Sequence, residues 1–290
     1  MLKALYERLL RSRWEIGFVQ NGLDGIFADR VHVEWVKNPF RDRWFADPFI
    51  LDITDDYIYL LAEEYAFKTK RGRIAKLTIS RESMVIVNYD IVLELSTHLS
   101  FPSILRENGK VFVYPESCAT GRLDLYEYDS EIGRLSFMKT LLRESVWDSV
   151  ITDLFGDRLL FASNYNDYHL DIYKWSEESS SFLHHLTVDS EKKDTRMAGQ
   201  LFEYHGRIFC PSQCCEHNYG EAVIIKQVEM KESILSFSPV RRISRLHPFR
   251  KTALHTLNEY KGIVVIDAGG YDFPVIGRFL HRLVHLFHNS

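Results

Sequence analysis

Five stretches of this sequence decide how it folds: ADPFILDITDDYIYLLAEE (46–64), FPSILRENGKVFVYPES (101–117), DSVITDLFGDRLLFASNY (148–165), AGQLFEYHGRIFCPSQ (198–213) and LHTLNEYKGIVVIDAGG (254–270). Each is a short apolar strand, a polar turn and a second apolar strand that ends on a polar group. With Asp47, Phe101, Asp148, Ala198 and Leu254 as equivalent starts, the spacings are 54, 47, 50 and 56 residues. The second strands end at Glu64, Glu116, Asn164, Gln213 and Asp267, with spacings of 52, 48, 49 and 54. Two anchors therefore keep one period, and a period in this range is the mark of a repeat architecture.

Between these hairpins lie further runs with period-2 alternation: RIAKLTI and YDIVLEL, LDLYEYD and LSFMKTLL, LDIYKW and FLHHLTV, AVIIKQVEM and FSPVRRIS. Each unit thus holds four strands, and four-stranded sheets that cannot bury both faces alone stack around an axis as a β-propeller. The reading is an all-β fold, a single five-bladed propeller over residues 1–290. The fifth unit runs out before its blade is complete, while RVHVEWV, from Arg30, is a spare strand ahead of the first unit. It is expected to close the ring by completing the last blade.

Composition agrees with a large buried core: 46% of the 290 residues are hydrophobic and 13% aromatic. The net charge of −4, from 36 basic and 40 acidic residues well mixed along the chain, gives no electrostatic footprint for nucleic acid. The N-terminal run breaks its leucines with Lys3, Glu7, Arg8 and Arg11 and so does not read as a signal peptide. A cytoplasmic protein is expected, and Cys118, Cys210, Cys214 and Cys215 are read as thiols. Both ends carry basic amphipathic patterns, expected as helices over about 1–14 and about 274–288. Such helices either pack on the propeller rim or contact the inner membrane surface peripherally.

In a propeller the innermost strands start at the axis, so equivalent positions converge on one funnel. The starts supply Asp47, Asp148 and His255, and the strand ends supply Glu64, Glu116, Asn164, Gln213 and Asp267. Carboxylates, amides and an imidazole in a ring suit hydroxyl-rich ligands and can flank a glycosidic bond. The bland alternatives are a turn cap for Asp47, ahead of Pro48, and solvated strand ends for the others. The C-x3-C-C-x-H run of Cys210, Cys214, Cys215 and His217 lacks the separated second pair of a zinc site, so no metal is expected. Neither G-x-G-x-x-G nor a P-loop occurs, and no cofactor is expected.

The motifs ADPFI, YPES, RMAGQLF, CPSQ, YG and LHTLN resemble the propeller domain at the N-terminus of plant glucosamine inositolphosphorylceramide transferases, to which stand-alone proteins of bacterial surface-polysaccharide gene clusters are similar. They resemble more distantly the five-bladed arabinanase, levansucrase and invertase superfamily with glycoside hydrolase family 43. The motifs add Arg196 and Tyr219 to the substrate-binding candidates. By resemblance, Asp47 matches the first-blade base or nucleophile and Asp148 the second Asp that orients and tunes. The family 43 general acid opens the fourth repeat, where this chain has Ala198; Glu116 is then the candidate substitute. A glycosyltransferase of bacterial cell-surface polysaccharide or glycolipid synthesis using an activated sugar donor is expected, with a family 43-type glycosidase or a sugar-binding module without catalysis as the alternatives.

Overall fold

The computed structural model describes residues 11–164, 169–189, 193–232, 234–273 and 275–276. Its strands form five separate antiparallel sheets. The first blade is β3 (Arg43–Ile53), β4 (Tyr57–Ala66), β5 (Gly72–Ser80) and β6 (Val85–Leu93) in sequence order. The second is β7 (Ser100–Glu107), β8 (Lys110–Glu116), β9 (Leu123–Asp129) and β10 (Arg134–Leu142). The third is β11 (Val146–Leu154), β12 (Asp157–Asn164), β13 (Leu170–Ser176) and β14 (Ser181–Val188). In the fourth the innermost strand is split into β15 (Arg196–Met197) and β16 (Phe202–Tyr204), both paired with β17 (Arg207–Cys214), followed by β18 (Ala222–Lys231) and β19 (Ile234–Ile243). The five-bladed reading holds.

The last blade joins the two ends of the chain. β20 (Leu257–Tyr260) and β21 (Ile263–Tyr271) are completed by β1 (Ser12–Val19) and β2 (Val33–Trp35), in the order β2-β1-β21-β20. The expected closure strand, β2, is therefore the outermost one, and the seam itself is β1, with Val19 opposite Val264 and Arg13 opposite Gly270. The tail of the expected N-terminal helix, Ser12–Trp14, is strand instead. Trp14, Ile16 and Phe18 alternate with Arg13, Glu15 and Gly17, and a period of 2 wins where a sheet edge stands ready to pair. The remainder of that expectation, residues 1–10, lies outside the described residues, as does the C-terminal one except for helical Val275 and Ile276.

Packing between blades supplies the core. Phe49 and Leu61 of the first blade meet Phe101, Ile104 and Val113 of the second, with the Phe49 and Phe101 rings 5.0 Å apart edge to face. Ile16 and Phe18 of β1 pack with Phe45, Leu60 and Leu77 of the first blade, so the seam strand also seals the ring. Fully burying side chains of this size contributes roughly 1.5–3 kcal/mol each.

Candidate functional site

The inner strands of the first three blades carry the same irregularity. Pairing slips between Ala46 and Phe49, between Ser100 and Ser103, and between Trp147 and Val150. At each slip one residue takes a left-handed backbone: Asp47 at φ 50, Phe101 at φ 42 and Asp148 at φ 45. Such bulges bend the strand and re-aim the side chain, and non-glycine residues held there mark functional positions. They are also the three repeat starts read from the sequence.

Each of these bulges donates its N–H to a carboxylate of the preceding blade. Asp47 donates to Asp267 Oδ2 at 3.1 Å, Phe101 to Asp47 Oδ2 at 3.1 Å, and Asp148 to Glu116 Oε2 at 3.3 Å. The carboxylates thus fasten neighbouring blades while facing the axis. Asp267, fully buried, also accepts from His255 N at 3.1 Å and Thr256 N at 3.0 Å, and lies 2.8 Å from His255 Nδ1. Asp47 Oδ1 accepts from Thr256 Oγ1 at 2.8 Å and stands 3.6 Å from His255 Nε2. Burial works against a charged imidazole, yet Asp267 and Asp47 outweigh it and raise the His255 pKa to about 9. Burial pushes the Asp47 carboxyl up to about 7, opposed by the attraction of His255. Trp14 stacks on His255, ring centroids 3.9 Å apart, and Tyr219 meets its edge. Gly269 makes this stack possible, because a Cβ there would stand 2.9 Å from the Trp14 ring.

The second cluster spans blades two to four. Arg196 Nε donates to Asp148 Oδ2, Gln213 Nε2 donates to the same oxygen at 2.7 Å, and Arg196 Nη2 lies 3.7 Å from Glu116. The Arg196 guanidinium sits over Trp147 at 4.5 Å and near Tyr219 at 5.2 Å. Burial, then repulsion from Asp148, raises the Glu116 pKa well above the ordinary carboxylate range, with Arg196 offsetting only part. Glu116 thus resists ionisation beside an arginine-bound carboxylate. It lines an open cavity of about 600 Å³ with His98, Cys118, Ser145 and Trp147. A carboxyl that resists ionisation, a buried second carboxyl and the Trp147 ring form a set suited to a sugar ring and its glycosidic oxygen.

Asp47, Glu116, Asp148, Arg196, Gln213, Tyr219, His255 and Asp267 fall in these two clusters. Glu64 does not: fully buried, it binds Arg43 at 2.6 Å through one oxygen and Arg73 at 3.0 Å through the other, which leaves nothing for a ligand. The reason is parity. Glu63 pairs opposite Ala46 as Glu116 pairs opposite Ser100, so Glu63 is the counterpart of Glu116 and the sequence register is off by one. Glu63 is buried, faces His98 at 3.2 Å and contributes to the raised pKa of Asp47. Asn164 closes β12 opposite Val146, and its side chain lies outside the described residues.

The cysteines are free, and their sulfurs part company: Cys210 faces Met197, Cys214 faces Glu221 and Arg242, and Cys215 accepts from Gly220 N. Asp47, His255 and Asp267 bring ligand atoms within 4.8 Å of one another. The set fits a resident metal poorly, since its carboxylates already accept from four backbone N–H groups. Sequence reasoning missed Trp14, Trp147, Glu63, His98 and Thr256. The available signal was a Trp directly before Asp148 and the Glu63-Glu64 pair, either of which can face inward.

A family model described as glucosamine inositolphosphorylceramide transferase 1, N-terminal, matches residues 33–247. The chain belongs to this family. Glucosamine inositolphosphorylceramide transferase 1 of Arabidopsis thaliana is 26% identical over 198 residues, 65% of this chain and 26% of the relative. The Oryza sativa subsp. indica protein of the same name is 22% identical over 203 residues, 66% of this chain and 27% of the relative. The chain therefore spans about a quarter of the length of these curated relatives. Asp47, Glu116, Asp148, Arg196, Gln213 and Tyr219 lie inside the stretch matched to the glucosamine inositolphosphorylceramide transferase family; Trp14, His255 and Asp267 lie outside it.

Solved structures share the fold at low identity. A family 43 β-xylosidase/α-arabinofuranosidase from a compost microbial metagenome, in complex with xylotriose, superimposes with a TM-score of 0.53 at 12% identity, over 78% of this chain and 86% of that one. A family 117 glycoside hydrolase from Zobellia galactanivorans does so with 0.52 at 12%, over 90% and 91%.

Proposed function

We propose that this chain is a carbohydrate-active enzyme that binds a sugar in the axial funnel and transfers it to an acceptor hydroxyl: a glycosyltransferase of bacterial cell-surface polysaccharide or glycolipid synthesis, working at the cytoplasmic side of the inner membrane. The observation that carries the carbohydrate-active part of the reading is Glu116, whose pKa is raised well above the ordinary carboxylate range by burial, then by repulsion from Asp148, in the wall of an open cavity that Trp147 also lines. Asp47 takes the proton of the attacking hydroxyl as its oxygen bonds to the anomeric carbon. Where the departing group is a neutral sugar, Glu116 gives its proton to the departing oxygen as the old bond to that carbon breaks; a diphosphate departs as the anion. Asp148 and Arg196 position Glu116, and Trp14, Trp147 and Tyr219 offer faces to the sugar. Membership in a family named for a transferase favours transfer to an organic acceptor.

Hydrolysis of the family 43 type is the second reading. Glu116 itself favours it, because a neutral sugar leaving group needs a proton that a diphosphate leaving group does not. Incubating the protein with nucleotide sugars and with neutral oligosaccharides, and identifying products by mass, separates the readings. An elongated acceptor supports transfer, and shortened oligosaccharides support hydrolysis. Either activity should fall about 10²–10⁴-fold in Asp47→Asn with folding intact, and Glu116→Gln should lower hydrolysis by as much while leaving transfer from a diphosphate donor less affected. Binding without turnover reduces the chain to a sugar-binding module, and full activity in Asp47→Asn removes Asp47 from the catalytic role.

A further inference from the structure

Beside Trp14 and Tyr219, the aromatic side chains that flank His255, a groove of about 870 Å³ opens between the fourth and fifth blades. Among the described residues three cations line it, Arg242, Arg245 and Lys251, against a single carboxylate, Glu221. Glu221 is already engaged by Arg242 at 3.0 Å and by His217 at 3.2 Å. Arg245 and Lys251 make no ion pair with any described residue.

The segment that presents these two cations is firmly tied. His247 accepts from Phe249 N at 3.0 Å and Arg250 N at 2.8 Å, and its Nε2 lies 2.8 Å from Glu15. Arg250 binds Glu15 at 3.0 Å, and Thr252 Oγ1 donates to Gly269 O at 2.9 Å. Of the basic residues in this segment, Arg250 is consumed in anchoring it to β1, while Arg245 and Lys251 are left facing the groove. Two uncompensated cations in a concave wall concentrate positive potential there, and Ser12 and Ser244 add hydroxyl donors. A ligand matching this wall carries two adjacent negative groups, and the shared Trp14 and Tyr219 place it next to the sugar funnel.

We infer that this groove binds the diphosphate of a glycosyl diphosphate whose sugar enters the funnel. The inference rests on the proposed transferase reading and names its donor class; a nucleoside diphosphate sugar and a prenyl diphosphate sugar share this chemistry.

The test is calorimetric titration of the full chain with three probes: inorganic pyrophosphate, uridine diphosphate N-acetylglucosamine, and farnesyl diphosphate in mild detergent. Pyrophosphate is expected to bind, and to bind more weakly as NaCl rises from about 0.05 M to about 0.5 M, since exposed charges are screened. The double variant Arg245→Ala with Lys251→Ala should lose about tenfold or more in affinity, while the charge-preserving pair Arg245→Lys with Lys251→Arg keeps most of it. The tighter of the other two probes identifies the donor class. Equal pyrophosphate affinity in wild type and the alanine double variant, or no binding of any probe, overturns the inference. Neutral oligosaccharides separate the two claims: if they bind and are lost in Trp147→Ala while the phosphates fail, only the groove assignment falls. If pyrophosphate binds as described and no oligosaccharide does, the groove stands and the funnel reading fails.

Discussion

Replacing Asp267 by Asn should flatten the alkaline fall in the protein's stability. His255, 4% exposed, has a pKa of about 9 against an ordinary value of 6.5, and after burial, which lowers it, Asp267 is the largest influence. A folded-state pKa above the unfolded one means that the folded protein holds the proton more tightly. The stabilisation is therefore complete below about pH 6.5 and is lost as pH rises through about 9. A gap of about 2.5 units at ~1.36 kcal/mol per unit gives about 3 kcal/mol. In Asp267→Asn the carboxylate is gone and the Asp47 N–H faces an amide that cannot serve every donor Asp267 now serves. The cost at neutral pH should be about 3–5 kcal/mol, and the pH slope assigned to His255 should shrink with it, Asp47 alone remaining beside the imidazole to raise its pKa. Urea denaturation between about pH 6 and pH 10 reads both quantities. Burial raises the Cys210 thiol to about 12, so it too lowers stability above its unfolded value. That contribution is common to both proteins and cancels in the difference. A wild-type stability that stays level from about pH 6.5 to 9.5, or an Asp267→Asn protein with the wild-type slope, refutes the reasoning.

Four further outcomes are expected. The profile of kcat/KM against pH should be bell-shaped, rising near pH 7 as Asp47 ionises to act as base and falling at higher pH as Glu116 gives up its proton; a rise centred near the ordinary aspartate value removes Asp47 from the role. Trp147→Ala should weaken sugar binding about tenfold, ~1.4 kcal/mol by titration calorimetry, with the melting temperature little changed. Glu64→Ala should remove the buried carboxylate shared by Arg43 and Arg73, which keep Asp42 and Glu94 as partners, and lower stability by about 1.5–3 kcal/mol in urea melts, without altering sugar affinity per folded molecule. Deleting residues 274–290 should reduce binding to anionic vesicles in a sedimentation assay while the propeller stays folded, and unfolding on deletion instead makes that segment part of the core.

The fold was legible because the repeat is periodic in two independent anchors, and a strand pattern survives in every blade. Three starts, Asp47, Phe101 and Asp148, were legible as equivalents, although their shared feature, a left-handed bulge, leaves no residue signature in ADP, FPS and DSV. What failed was register and pairing partner. Glu63 and Glu64 are adjacent and chemically identical, and only the pairing of Glu63 with Ala46 tells which faces the axis. In the same way Asp267 stands opposite His255 and Thr256, not at the place of Glu116, because its N–H bonds Thr256 O. Ser12–Trp14 was misread since Leu10 and Trp14 continue a helical spacing from the preceding residues; the competing strand partner, β21, lies some 250 residues away in sequence and exerts no local signal. Trp14 was lost from the site for that reason alone.

The most direct test of the central claim is a crystal structure of the protein soaked with candidate sugars and nucleotide sugars. The account predicts a sugar ring in the axial funnel, against Trp14 or Trp147, with hydroxyl or glycosidic oxygens within hydrogen-bond reach of the Asp47 and Glu116 carboxyls. Sugar bound only outside the funnel, or Asp47 and Glu116 carboxyls directed to different sides of the propeller, contradicts it.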